Sequence, residues 1–249
     1  MIKRISLAFF LIWVLVIECC WADYSGLWWD QAKSGQGVSI LQNNNAICGA
    51  WYLYDSSGED MWLVFTGTLD SKNTLTSELV QYTGPALGTS WDVNKLKATS
   101  KGTVTLVFNS PTSATMQYNL NGVSGVLNLE PFANDIASLY WDVDRPGQGV
   151  GLFVEGRNAY IVWYLYDENG KDMWVTSNVD LGLGSLHVDL YQFTGPPFGS
   201  EWDPSLVKSF AVGDASLILS NSKQLPITYN IHGVSGQLNI VPFVCSIAQ

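Results

Sequence analysis

Apolar and polar residues alternate along many short segments of this chain. From Thr103 to Phe108 and from Thr115 to Leu120 every second side chain is apolar, which is the period of a strand that buries one face. The residues between them, 109–112, are of the types that form turns. Comparable runs, rich in β-branched and aromatic residues, recur between clusters of Gly, Asn, Ser and Asp. The pattern predicts an all-β protein.

The same reading predicts eight strands in the first half of the chain. Eight sequential strands joined by short turns favour an antiparallel up-and-down barrel, because closure removes the unpaired edges of an open sheet. A β-sandwich is the alternative, since closure cannot be read from one sequence. The strands are predicted near residues 25–29, 38–42, 47–54, 61–68, 74–82, 103–108, 114–120 and 124–130.

The second half of the chain repeats the first. Gly-Gln-Gly-Val at 35–38 returns at 147–150, and Trp-Tyr-Leu-Tyr-Asp at 51–55 returns at 163–167, both shifted by 112 residues. The match continues, after one deletion, to the Pro-Phe pair that closes each copy. Two tandem units of one fold are therefore predicted.

Three segments follow from this periodicity. We predict a signal peptide at 1–22, a first barrel-like repeat at 23–132 and a second at 136–243. The linker between the repeats is short, so the two units are expected to pack against each other.

The amino terminus has the charge order of a secretory signal. Two basic residues precede the apolar run 5–17, and a small-residue site ends at Ala22. The run is too short to cross a bilayer, which takes about 20 residues, so no transmembrane segment is expected after cleavage. Lipid attachment at Cys19 or Cys20 is the alternative. The mature protein is predicted to be secreted or periplasmic.

Two cysteines, Cys48 and Cys245, remain after cleavage at that site. A disulfide between them is plausible in an oxidising compartment, and two buried thiols are the alternative. The bond would tie the end of the second repeat to the first.

The chain is acidic, with 12 Lys and Arg against 22 Asp and Glu. Removal of the leader takes away more basic than acidic residues. This balance argues against nucleic acid and anionic membrane surfaces, both of which need a basic patch.

The run Val162-Trp163-Tyr164-Leu165-Tyr166 is apolar on both faces of its predicted strand. If Trp163 and Leu165 point into the barrel, the tyrosines must pack elsewhere. Packing between the two units is the first interpretation, and a second protomer or a ligand is the alternative. Trp51 and Trp163, in mid-strand, are predicted to be core residues.

Other recurring residues are candidates for binding. A Trp followed by Asp at a strand end, and a Gln between two glycines, place an aromatic face and an amide at loops that could hold a flat ligand such as a sugar. Core packing and tight turns explain the same residues nearly as well. The candidate ligand-binding residues are Trp29, Asp30, Gln36, Trp91, Asp92, Trp141, Asp142, Gln148, Trp202 and Asp203.

The repeated string resembles a Trp- and Gly-rich module of secreted bacterial proteins, which occurs alone, in tandem or attached to exported enzymes. The resemblance covers nearly all of the mature chain and implies an exported accessory module without a defined function. The strand number is also similar to that of avidin-like and lipocalin-like barrels, an analogy of architecture alone.

We therefore favour a non-catalytic module that binds a carbohydrate or another small ligand, with no cofactor and no metal. A protein-interaction or inhibitor module of the cell envelope is the first alternative. The second is a glycoside hydrolase that uses paired carboxylates, such as Asp30 with Asp60 or Asp142 with Asp172. The histidines do not recur between the copies, which argues against a zinc site or a Ser-His-Asp triad.

Overall fold

The computed structural model describes residues 22–181, 186–217 and 224–246. Nearly all of the predicted signal peptide, 1–22, lies outside these residues. The first closed barrel is antiparallel and its strands pair in chain order. Its strands are β1 (Gly26–Trp29), β2 (Gly37–Asn43), β3 (Ala46–Tyr54), β4 (Asp60–Thr68), β5 (Thr74–Thr83), β6 (Lys97–Ser110), β7 (Ser113–Leu120) and β8 (Val123–Ala133).

The second barrel repeats this topology. Its strands are β9 (Ile136–Trp141), β10 (Gly149–Glu155), β11 (Asn158–Tyr166), β12 (Asp172–Asp180), β13 (Leu186–Thr194), β14 (Lys208–Leu217), β15 (Leu225–Ile231) and β16 (Val234–Pro242). The prediction of two tandem up-and-down barrels is confirmed, and the sandwich alternative is excluded. Within the described ranges, no helix is long and apolar enough to cross a membrane.

One strand is longer than its pattern indicates. The sequence predicts the sixth strand at 103–108, whereas β6 begins at Lys97. A register shift in β5 between Leu79 and Val80 lies opposite Gly102, which has a φ of +154° and no space for a Cβ because the Asn119 carbonyl oxygen would lie 1.8 Å from it. Glycine here permits a bulge, and the strand continues through it.

Each barrel is filled by its own apolar core. Trp51 belongs to the first core and Trp163 to the second, and both are almost completely buried. The prediction that these two residues lie in the core is confirmed.

A third apolar cluster joins the barrels, and we call it the seam. It contains the outward faces of β3, β4, β11 and β12. Tyr52 stacks on Tyr164 with ring centroids 5.8 Å apart and an interplanar angle of 12°. The tyrosine face predicted from the WYLY run therefore packs against the other unit, as the first interpretation states. The buried aromatic members of the seam are Tyr52, Tyr54, Trp62, Phe153, Tyr164, Tyr166 and Trp174.

The barrels also exchange loops. The β13–β14 loop brings Phe198 onto the first core, 6.3 Å from Trp51 between ring centroids, and the β5–β6 loop brings Leu87 onto the second core. The Phe198 amide donates to the Asp55 carbonyl, and the Leu87 amide donates to the Asp167 carbonyl, both at 2.9 Å. Each barrel thus contributes to the core of the other.

The loops dock on the turns that follow β3 and β11. In the first turn the Asp55 carboxylate accepts from the amides of Ser57 and Glu59, and Gly58 has a φ of +84°, as is usual for Asp and Gly in tight turns. The Gly195 amide donates to the Gly58 carbonyl at 3.0 Å. The equivalent bond joins Gly84 to Gly170.

A disulfide joins Cys48 on β3 to Cys245 in the carboxyl-terminal tail, with the Cα atoms 5.7 Å apart. Asn43 donates from Nδ2 to the Cys245 carbonyl at 2.9 Å. The tail of the second unit is therefore held on the first barrel.

Gly195→Ala is expected to lower the free energy of unfolding by about 1–3 kcal/mol, since the new methyl group must displace a packed ring. A Cβ at this position would lie 2.1 Å from Cε2 of the buried Tyr54. Urea denaturation measures the change. Gly122→Ala is the control, because its Cβ meets nothing within 4 Å and only its φ of +83° opposes alanine. An effect no larger than the control contradicts the tight docking of the loop.

Replacement of both Cys48 and Cys245 by alanine is expected to lower the free energy of unfolding by about 2–4 kcal/mol, because the bond closes a very long loop in the unfolded chain. The bonded residues are separated by 197 positions. Urea denaturation of the variant, compared with wild type with and without a reductant, measures the effect. Equal stability of oxidised wild type and the variant would contradict it.

Candidate ligand-binding groove at the seam

An open groove runs along one side of the seam. The first barrel contributes β1, the β1–β2 loop, β3 and the end of β8, and the second contributes β11, β12, β13 and the start of β14. Two cavities of about 260 and 430 Å³ make up the groove. The two cavities adjoin each other, since they share the lining residues Leu27, Phe132, Val162, Thr176 and Phe193. We call this feature the seam groove.

Aromatic rings line the seam groove from both barrels. Phe132, which is 37% exposed, meets Trp29 at 5.1 Å and Tyr160 at 4.8 Å between centroids, in both cases edge to face. On the facing wall Trp174 stacks on Phe193 at 5.4 Å with an interplanar angle of 14°. The rings present flat apolar surfaces in several orientations within one groove.

Polar groups are concentrated at the two ends. At one end Gln36 accepts from Trp51 Nε1 at 3.0 Å through its Oε1 atom. Its Nε2 atom carries the two hydrogen-bond donors of the side chain. The other end is lined by hydroxyl and amide groups. These belong to Tyr160, Asn178, Tyr191 and Ser209.

The seam has approximate twofold symmetry, but the groove on its other side differs. Cys48 occupies the position equivalent to Tyr160, and Val80 the position equivalent to Tyr191. That side carries a cavity of about 220 Å³, lined by Cys48 and Phe243, and the disulfide attaches the tail there. Aromatic rings and hydroxyl groups are therefore more numerous in the seam groove than on the opposite side of the seam.

Two of the candidate residues, Trp29 and Gln36, line the seam groove. Their equivalents Trp141 and Gln148 do not line it. Trp141 packs edge to face on Phe243 with centroids 6.2 Å apart.

Two further candidates, Trp91 and Trp202, pack against the seam. Trp91 lies 6.2 Å from the Tyr166 ring and Trp202 lies 6.2 Å from the Tyr54 ring. Each indole therefore covers a tyrosine of the opposite barrel, and neither lines the seam groove.

The aspartates that follow the repeated tryptophans bond to nearby backbone. Asp92 and Asp203 each accept from an amide two residues ahead and cap a short 3₁₀ helix, and Asp142 accepts from the Asp144 amide at 3.0 Å. Asp30 is 7% exposed and accepts from two amides, those of Ala32 and Asn128, both at 3.0 Å. These bonds give the four carboxylates a role in holding loops.

Asp60 and Asp172, which the sequence suggests as partners of Asp30 and Asp142, instead form a reciprocal pair of carboxylates in the seam. Asp60 accepts from the Trp174 amide at 2.7 Å and from Gln192 Nε2 at 2.7 Å. Asp172 accepts from the Trp62 amide at 2.9 Å and from Gln81 Nε2 at 2.7 Å. Each carboxylate thus bonds to two strands of the other barrel. The available signal was the recurrence of Asp-Met-Trp and of a later Gln in both copies.

Burial dominates the electrostatics of this pair. It raises the pKa of Asp60 and of Asp172 to about 6, against the opposing effects of the amide hydrogen bonds and of Lys171. Lys171 also bonds to Asp55 at 2.9 Å, which lowers the pKa of Asp55. The equivalent of Lys171 in the first copy is Glu59. Of these two equivalent positions in the seam, only one therefore carries a lysine.

The same burial bears on the glycoside-hydrolase alternative. Asp60 is 3% exposed and Asp172 is 1% exposed, and both oxygens of each accept from protein donors. An acid and a base that act on a glycosidic bond must reach it, so this geometry does not favour hydrolysis by either residue.

Comparison with known proteins finds a distant similarity to two bacterial enzymes. The chain is 25% identical over 184 residues to a beta-glucanase of Paenibacillus polymyxa, covering 72% of this chain and 67% of that protein. It is 25% identical over 181 residues to a beta-glucanase of Paenibacillus macerans, covering 72% and 68%. No family model matches the chain, and no solved structure matches it. Membership of the Trp- and Gly-rich repeat family stays a prediction.

The two seam carboxylates are expected to make stability depend on pH. Because the folded pKa of each lies above that of a free carboxyl, the proton is bound more tightly in the folded protein, and the free energy of unfolding should fall as the pH rises from about 4 to about 6. Urea denaturation at several pH values measures the slope. Asp60→Asn and Asp172→Asn should each make it shallower, and an unchanged slope in both variants would contradict the assignment.

Proposed function

We propose that the protein is an exported, non-catalytic module that binds a carbohydrate in the seam groove. The observation that carries the proposal is the row of rings formed by Trp29, Phe132 and Tyr160, with hydroxyl and amide groups at the ends of the same groove. A sugar ring offers an apolar face to an aromatic side chain and hydroxyl groups to polar side chains, and the groove provides both.

The charge of the protein favours a neutral glycan. The chain has a formal net charge of −10 at pH 7, which disfavours acidic polysaccharides. The similarity to proteins named beta-glucanase supports a carbohydrate-related role and makes a β-glucan oligosaccharide the first probe to use.

The arrangement of the barrels suits binding with little rearrangement. The walls of the groove lie on strands of two closed barrels that share buried rings and exchange loops. A groove that is formed before the ligand arrives loses less conformational entropy on binding.

The interaction-module alternative has less support because the exposed tyrosine face it could have used is absent. The tyrosine face, which could have docked a partner, is buried in the seam against the other barrel. The binding of an envelope protein would need a different surface, so the carbohydrate reading is the better supported one.

Trp29→Ala is expected to weaken the binding of β-glucan oligosaccharides at least about tenfold, which is typical of the loss of a central aromatic contact. Trp141→Ala is the matched control, because it removes the equivalent ring from outside the seam groove and should leave affinity unchanged. Calorimetric titration with cellotetraose and laminaritetraose measures both, and circular dichroism checks the fold. Equal losses in the two variants, or no binding by wild type, would contradict the proposal.

A further inference from the structure

We propose that Asp60 is a positioning residue of the seam groove, which holds one groove wall from the opposite barrel and makes ligand affinity depend on its own charge state. The inference rests on the proposed function, since it assumes that the seam groove binds the carbohydrate. It concerns a residue that is buried behind the groove wall and does not line the groove.

The groove wall formed by β12 and β13 has few backbone pairs between its two strands. β12 and β13 pair in register only at Thr176 and Tyr191 among the described residues, whereas β11 and β12 pair over nine positions. Both residues of that single pair line the groove. Backbone hydrogen bonds alone therefore hold this wall weakly.

Asp60 bonds to both of these strands. One carboxylate oxygen accepts from the backbone of Trp174 on β12, and the other accepts from Gln192 on β13, each at 2.7 Å. Trp174 and Phe193, which follows Gln192, form the stacked pair on the groove wall. A single side chain thus fixes the separation of the two strands that carry these rings.

We call the two bonds from Asp60 to β12 and β13 the clamp. The clamp needs an ionised carboxylate. An ionised group accepts at both oxygens, whereas a protonated group turns one oxygen into a donor and weakens its acceptance from amides. Burial raises the pKa of Asp60 to about 6, so the change falls in a range where the protein is easily studied. Loss of one bond should loosen the wall and lower affinity.

Several charged or titratable groups face this carboxylate. Lys171 favours its ionised form and Asp172 opposes it, and Asp60 in turn raises the pKa of Tyr54. His232 Nε2 lies 3.0 Å from Gln192 Oε1, and Asp55 holds Lys171. A titration must therefore be assigned to Asp60 by substitution and not by its midpoint alone.

The pseudo-twofold supplies a matched control. Asp172 bridges β4 and β5 through the Trp62 amide and Gln81, and these strands also pair in register only once, at Val64 and Val80. Asp172 is similarly buried and has a similar pKa. Its substitution disturbs the seam equally, but on the wall away from the seam groove.

The first experiment needs no ligand. In protein labelled with ¹⁵N-tryptophan, the Trp174 backbone amide resonance is expected to shift between pH 5 and 7.5, to keep this shift in Asp172→Asn and to lose it in Asp60→Asn. A Trp174 amide that does not titrate, or that titrates unchanged in Asp60→Asn, overturns the clamp.

The second experiment measures affinity for cellotetraose and laminaritetraose at pH 5 and 7.5. Wild type and Asp172→Asn are expected to bind at least about fivefold more weakly at pH 5, the low end of couplings usual between sites. Asp60→Asn should bind weakly at both values. Identical behaviour of the two variants overturns the positioning role, whereas no binding by wild type contradicts the carbohydrate function and leaves the amide titration to decide the clamp.

A milder pair of variants covers the case in which Asp60→Asn does not fold. Gln192→Ala removes one of the two bonds and keeps the carboxylate, and it should weaken binding at pH 7.5. Gln81→Ala, the equivalent change on the other side, should not. Equal affinities of these two variants would overturn the proposal.

Discussion

The packing of two closed barrels through the seam is the constraint on which the rest of the structure depends. A closed barrel has no strand edge to offer a neighbour, so two barrels can adhere only through side chains and loops. Strand β3 and its counterpart β11 are buried on both faces, and one face of each has no cover except the other barrel. The groove, the exchanged loops and the paired carboxylates all lie on this contact.

Burying two carboxylates in such a contact would be unfavourable without partners. Here each is satisfied by a backbone amide and a glutamine amide, and the donors come from the opposite barrel. The bonds therefore specify how the barrels are oriented as well as how closely they approach. An apolar contact of the same size would allow more sliding, because hydrophobic burial is not directional.

Much of the fold could be predicted because its signals are local. Alternation identified the strands, the duplicated motifs identified the two units, and the two-faced WYLY run identified the packing surface. The predicted start of β6 was too late because a glycine is typical of a strand end, whereas Gly102 forms a bulge within the strand. The role of Asp60 and Asp172 in the seam could not be predicted, for another reason: the donors to Asp60 lie 114 and 132 residues away, and no local pattern relates them. Trp29 and Gln36 could be proposed from their recurrence, but only the fold separates them from Trp141 and Gln148.

Covalent joining of the two units has a consequence for how the seam can change. In a symmetric pair of identical chains every substitution occurs twice, so both sides of the contact must tolerate it. In a tandem chain the two sides of the contact are different parts of one sequence, so a substitution on one side leaves the other side unchanged. The aromatic Tyr160 faces one opening, while its counterpart Cys48 has become an anchor for the tail. Duplication within one polypeptide thus lets the two halves of a symmetric contact diverge, so that one half carries an open aromatic groove and the other carries a covalent link.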